Sequence, residues 1–227
     1  MDAGTLSHGQ GHKTTYAQMV ADWLGVPEDK IWRKPIPTMS RSAVAQMSFI
    51  PVGLPSELGV GLQSAGAFSP GPPAFANGCH ICEVEIDPDT GEVILDRYTV
   101  VDDIGTVINP LLARGQIQGG VAQGAGQALI EDIVYDRDSG QLLTGTLIDY
   151  GIPHADTMPA IDADFSPVPS TTNPLGAKGV GEGGTIAATP TVMNAILDAL
   201  APLGVTDVPM PATPERIWRA MRKQTTS

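Results

Sequence analysis

Asn173-Pro174-Leu175-Gly176-Ala177-Lys178-Gly179-Val180-Gly181-Glu182-Gly183-Gly184-Thr185 sets five glycines around one carboxylate, shortly before an apolar helical pattern. Glycine loses more backbone freedom on folding than any other residue, so a run this dense needs positive φ angles or close approach to a ligand. Gly179, Gly181 and Gly184 spell G-x-G-x-x-G, which would signal a doubly wound dinucleotide domain if it joined a strand to a helix inside a βαβ unit. The preceding Ser166-Pro167-Val168-Pro169-Ser170 is no strand, and too little chain follows for such a domain. A phosphate loop fails too, because Lys178 precedes the glycines instead of closing them. An exposed turn with a solvated glutamate is the plain alternative. Glu182 is otherwise a proton acceptor held against a large bound ligand.

Working outward, 189–200 forms a helix capped by Thr189-Pro190, with Val192, Met193, Ile196, Leu197 and Leu200 inward. Thr213-Pro214 starts another, whose Arg219, Arg222 and Lys223 suit the negative end of its dipole. Upstream, 81–86 alternates Cys82, Val84 and Ile86 against Glu83 and Glu85, Asp87-Pro88-Asp89-Thr90-Gly91 turns, and 93–101 returns as a hairpin. Asp102-Asp103-Ile104-Gly105 ends that strand. Asn109-Pro110 caps a helix to about residue 131. That helix carries Gly115, Gly119, Gly120, Gly124 and Gly126, each costing up to about 1 kcal/mol against Ala. Such a face admits a neighbouring helix or a cofactor reached by Gln116 or Gln123. Strands are expected at 133–135, 142–148 and 161–165.

Near the start, Gly9-Gln10-Gly11 lies in a polar loop that feeds an amphipathic helix over 15–24, with Met19, Val20, Trp23 and Leu24 on one face and Gly25 as stop. Amides ahead of a helix make a ready anion site. Ser40-Arg41-Ser42 sets two hydroxyls beside a guanidinium, able to hold a phosphate or to lie solvated. Residues 46–76 form an irregular Pro/Gly/Ser-rich segment, and no linker divides the 227-residue chain. Cys79-His80-Ile81-Cys82 has metal-like spacing, but strand positions three apart face opposite ways and a pair falls short of four ligands, so both cysteines are expected to pack.

The hydrophobic fraction of 42% suffices for a sizeable core, and 26 glycines with 20 prolines imply long ordered loops. The net charge of −12 disfavours nucleic acid and anionic membranes as partners. No apolar run long enough to span a bilayer, no secretory signal and two cysteines suggest a cytoplasmic protein. The alternation of hairpins and helices gives an α+β (mixed α/β) fold.

In combination the chain resembles the molybdenum-binding subunit of the xanthine dehydrogenase/aldehyde oxidase family. The resemblance begins at Gly9-Gln10-Gly11-His12, passes Ser40-Arg41-Ser42 and runs strongly from Asn77 to Ala220. It includes Asp103-Ile104-Gly105-Thr106-Val107-Ile108-Asn109-Pro110, Gly119-Gly120-Val121-Ala122-Gln123-Gly124 and, most specifically, Gly176-Ala177-Lys178-Gly179-Val180-Gly181-Glu182. It implies the C-terminal portion of a cofactor-binding domain over 1–227, truncated on its N-terminal side. It also implies molybdopterin, often as the cytosine dinucleotide, with molybdenum held by the dithiolene rather than by protein ligands. The residue matching Glu182 is then the general base of a hydroxylation that uses water-derived oxygen. Gln123 is expected beside the pterin or metal. Gly9, Gln10, Gly11, Ser40, Arg41 and Ser42 hold phosphates and pterin, and Lys178 and Gly181 lie at the cofactor. The implied partners are a chain supplying the N-terminal half, iron–sulfur (2Fe-2S) and FAD subunits, and a small substrate such as an aldehyde or N-heterocycle. A non-catalytic, cofactor-carrying fragment of the same family is the alternative.

Overall fold

The computed structural model describes residues 9–25, 27–31 and 72–224. Ser40, Arg41, Ser42 and residues 46–71 lie outside them. The chain falls into two units, Met1–Pro72 and Pro73–Ser227, divided inside the segment 46–76.

In the first unit, helix α1 spans His12–Leu24 and stops at Gly25, whose φ of 62° is the left-handed cap expected there. It starts three residues earlier than expected, because Gly11 takes a left-handed φ of 74° and its carbonyl receives the amides of Thr14 and Thr15. The expected inward face is not what forms. Ala17 is the buried residue, while Trp23 and Leu24 remain exposed.

The second unit is a three-stranded sheet covered by helices. Strand β1 (Asn77–Ile86) pairs antiparallel with β2 (Val93–Asp103), and β3 (Ile161–Phe165) joins β2 in parallel. The hairpin follows the alternation: Cys82, Val84 and Ile86 pack on the core and Glu83 and Glu85 point out. Between Glu83 and Val84 the register slips, so Asp96 is an extra residue on β2. The bulge moves the inward phase from Leu95 to Tyr98, Val100 and Asp102. Cys79 and Cys82 take opposite sides, as three-residue spacing on a strand dictates, but Cys79 is exposed rather than packed. Burial, then the Glu83 charge, pushes the Cys82 thiol up to about 11.

Helix α2 (Pro110–Leu129) begins as the sequence predicts, with Asn109 Oδ1 accepting the Leu112 amide at 3.0 Å. Its inward stripe is Ala113, Ile117, Val121, Ala125 and Ala128. Helix α3 spans Gly183–Leu200 and buries Gly184, Ala188, Val192, Ile196 and Leu200 at strict fourfold spacing. It starts six residues before the expected cap, so Pro190 lies inside it. Pro190 supplies no amide to Ile186, but both residues are exposed and water can serve the freed carbonyl. Contrary to the composition-based expectation, Gly183–Leu203 is long and apolar enough to cross a membrane. Its buried residues, Ala188, Val192, Ile196 and Leu200 among them, belong to the core, where α3 packs against α2 and β1. Helix α4 (Pro214–Gln224) closes the core with Ile217 and Met221.

The strands expected at 133–135 and 142–148 reduce to one bridge, Tyr135 to Leu142. Ile133, Tyr135, Leu143, Leu147 and Ile148 are all exposed, so no buried face rewards a longer ladder.

Candidate functional site

The Glu182 loop is sewn to the end of β2. Thr106 and Ser170 both donate backbone amides to the Gly176 carbonyl at 2.9 Å, and the Lys178 amide donates to Ile104 at 2.8 Å. The Asn173 side chain bonds both the Ala177 carbonyl (2.8 Å) and amide (3.1 Å), copying a strand partner. Gly105 has φ of 67°, and a Cβ there would stand 2.2 Å from the Gly176 carbonyl, so only glycine lets the two segments meet.

Asp103 fastens the same junction. It accepts from the amides of Gly105 and Val168, each at 2.9 Å, and from Lys178 Nζ. The Lys178 ammonium first, then those amides, holds the Asp103 carboxyl well below the usual carboxylate range. A pKa depressed on folding stabilises above the unfolded value and loses that contribution as pH falls through the folded one. Lys178→Met is therefore expected to shift acid opening of the loop to higher pH. Hydrogen exchange of the backbone amides at positions 177 and 178 against pH measures this, and coincident wild-type and variant midpoints would contradict it.

Beyond Lys178 the loop borders an open cavity of about 530 Å³, lined by Asn77, Gly78, His80, Asp102, Gly179, Gly181, Glu182 and Gly183 among others. Glu182 is exposed at the N-cap position of α3, and its side chain makes no capping hydrogen bond. The carboxylate is thus not consumed by the helix it precedes. The glycines divide by task. Gly176 has φ of 65° and its Cβ position is blocked by Thr106 and Pro169. Gly184 touches Ile117 and Gly120 of α2, whereas Cβ atoms on Gly179 or Gly181 would meet nothing within 4 Å.

Helix α2 divides its glycines in the same way. Gly120 and Gly124 lie against Gly184, Thr185 and Ala188 of α3, while Gly115 and Gly119 face open space. The neighbouring-helix explanation of that glycine-rich face holds at Gly120 and Gly124. Gln123 is exposed one turn beyond Gly119 and does not line the Glu182 cavity.

Of the other expected site residues, Lys178 has its ammonium paired with Asp103, and Gly181 lies at the cavity beside Glu182. Gly9, Gln10 and Gly11 belong to the Met1–Pro72 unit, where Gly9 (φ 96°) and Gly11 are left-handed. Two residues that the sequence did not single out for the site are His80 and Asp102, buried at the cavity with Nε2 and Oδ1 3.2 Å apart. A period-two count could have found them: His80 is in phase with Cys82 and Val84, and Asp102 with Tyr98 and Val100.

Residues 33–159 match the model of the molybdopterin cofactor-binding domain, a span that holds β1, β2 and α2 but ends before Glu182. The large subunit of nicotine 6-hydroxylase from Paenarthrobacter nicotinovorans is 31% identical, over 97% of this chain and 35% of its own. Among solved structures, reconstituted CO dehydrogenase from Oligotropha carboxidovorans is similar with a TM-score of 0.73 and 30% identity, over 93% of this chain and 27% of that one. Quinoline 2-oxidoreductase from Pseudomonas putida 86 shares 45% identity with a TM-score of 0.63, over 65% of this chain and 19% of that one. The chain belongs to the molybdopterin cofactor-binding domain family. Its relatives are molybdopterin-binding subunits of the xanthine dehydrogenase kind, as the motifs around Glu182 imply, and it spans about a third of the length of the curated relatives it matches first.

Proposed function

We propose that this chain is a cofactor-binding catalytic component of a molybdenum hydroxylase, with Glu182 as the general base in the oxidative hydroxylation of an aldehyde, N-heterocycle or similar small electrophilic carbon. The observation that carries the reading is the placement of Glu182. An uncapped, unpaired carboxylate stands over a cavity on a loop fixed by Asp103 and Lys178, between two glycines that offer bare backbone. Gly179 and Gly181 fit a large, flat cofactor, because a side chain at either would project into open space.

Molybdopterin, when bound, supplies the molybdenum and with it the two-electron redox chemistry. The remaining work falls to the chain. Glu182 accepts a proton at its carboxylate oxygen. Gly179 and Gly181 admit the cofactor, and Lys178 positions the loop through Asp103. Gln123, on α2, would lie beside the pterin or metal, and the Gly9-Gln10-Gly11 and Ser40-Arg41-Ser42 segments would hold the dinucleotide phosphates and pterin. The expected form is the cytosine dinucleotide. The 2Fe-2S and FAD groups belong to partner chains in a cytoplasmic complex, in keeping with the "large subunit" and "complex subunit gamma" among the relatives' names.

Elemental and nucleotide analysis of the complex purified from its host tests this. The expected result is one molybdenum and one pterin per chain, with cytidine monophosphate released by acid. Saturable NAD or FAD binding by the chain without molybdenum would overturn it.

A further inference from the structure

We propose that Asp102, locked by His80 and Tyr98, is a positioning residue for Glu182: it lies beneath the first turn of α3 and fixes the direction in which that helix presents the carboxylate. The inference rests on the reading of Glu182 as the base.

Asp102 is 3% exposed and is the one fully buried charged residue among those described. Register places it opposite Gly78 of β1, where a Cβ would stand 1.8 Å from Oδ1. The hairpin thus omits a side chain to make room for this carboxylate. Oδ1 accepts from His80 Nε2 at 3.2 Å, and the other ring nitrogen meets the Tyr98 hydroxyl at 3.0 Å. Because a carboxylate only accepts, Nε2 is the donor to Oδ1, and the second ring nitrogen is held by the Tyr98 hydroxyl. Tyr98 of β2 and His80 of β1 thus form a connected path to Asp102, beneath the start of α3.

At that end Oδ2 is buried without a hydrogen-bond partner, 3.5 Å from the position a Gly183 Cβ would occupy. A desolvated, half-bonded carboxylate is costly unless charge offsets it. The offset here is the positive pole of α3, an 18-residue helix whose first residue is Gly183. The attraction is mutual. The helix start tolerates the buried charge, and the charge holds the helix start. Glu182 immediately precedes Gly183, so its Cα–Cβ direction follows from where that turn is held. A residue that merely filled the core would do none of this, and Asn, of equal size, would replace it with no local effect.

The test is hydrogen–deuterium exchange on the complex purified from its host, comparing wild type with Asp102→Asn, His80→Gln and His80→Ala. Asp102→Asn is expected to speed exchange of the amides of 183–187 by about tenfold while 192–200 stay near wild type, since local opening is read separately from global unfolding. His80→Gln, which keeps a donor for Oδ1, should stay near wild type, and His80→Ala should follow Asp102→Asn. Should Asp102→Asn fail to fold, the two His80 variants carry the same comparison. Unchanged exchange at 183–187, or an equal rise along all of α3, would overturn the proposal. The Glu182 reading fails separately: Glu182→Gln retaining turnover removes the base while leaving the exchange result untouched.

Discussion

Glu182→Gln is expected to lower kcat of the assembled enzyme by about 10²–10⁴-fold, the usual contribution of a positioned general base. The amide has the shape of the carboxylate but no basicity at neutral pH. Because Glu182 makes no capping bond to α3, the substitution removes no hydrogen bond that holds the helix. Substrate affinity should change far less than kcat, the mark of an interaction made in the transition state. Steady-state kinetics at saturating substrate reads the first effect, and KM the second. A variant with a raised KM and intact kcat would recast Glu182 as a binding group.

The second large effect is on stability. Gly184→Ala would place a Cβ 2.5 Å from the Ile117 carbonyl oxygen and 3.0 Å from Gly120 Cα. Both are backbone atoms, so relief requires α2 and α3 to move apart along their length. Overpacking of this kind costs about 1–3 kcal/mol. At roughly 2–4 °C per kcal/mol for a chain of this size, Tm should fall by several degrees. Gly119→Ala is the contrast. Its Cβ meets nothing within 4 Å, and Ala in a helix interior gains about 0.5–1 kcal/mol over Gly. Thermal unfolding of the two variants decides it, and a Gly184→Ala protein as stable as Gly119→Ala would show that the helices do not meet at this glycine.

Much of the second unit was legible because local chemistry and tertiary demand agree there. The Cys82–Val84–Ile86 alternation and the Asn109-Pro110 cap each give one answer, and the structure has it. The Glu182 loop stood out by its glycine density, but the side chains that support it did not. Gly183 and Gly184 carry a helix-breaking propensity that is overridden because Gly184 lets α3 touch α2. That contact moves the helix start back to the glutamate itself. Thr189-Pro190 is a valid cap signal by composition, yet Pro190 is tolerated on the exposed side of α3. His80 drew notice only as part of a cysteine spacing and Asp102 only as a strand end, because their partnership spans two strands and depends on the register. The apolar residues of 133–148 match a strand pattern, but burial in this chain does not follow.

In the proposed function Glu182 acts on a cofactor it does not hold. The most direct measurement is molybdenum per chain and turnover on one preparation of the Glu182→Gln complex. The account predicts molybdenum near the wild-type level with turnover almost gone. Turnover close to wild type at full molybdenum would contradict it, and so would loss of molybdenum and turnover in equal proportion.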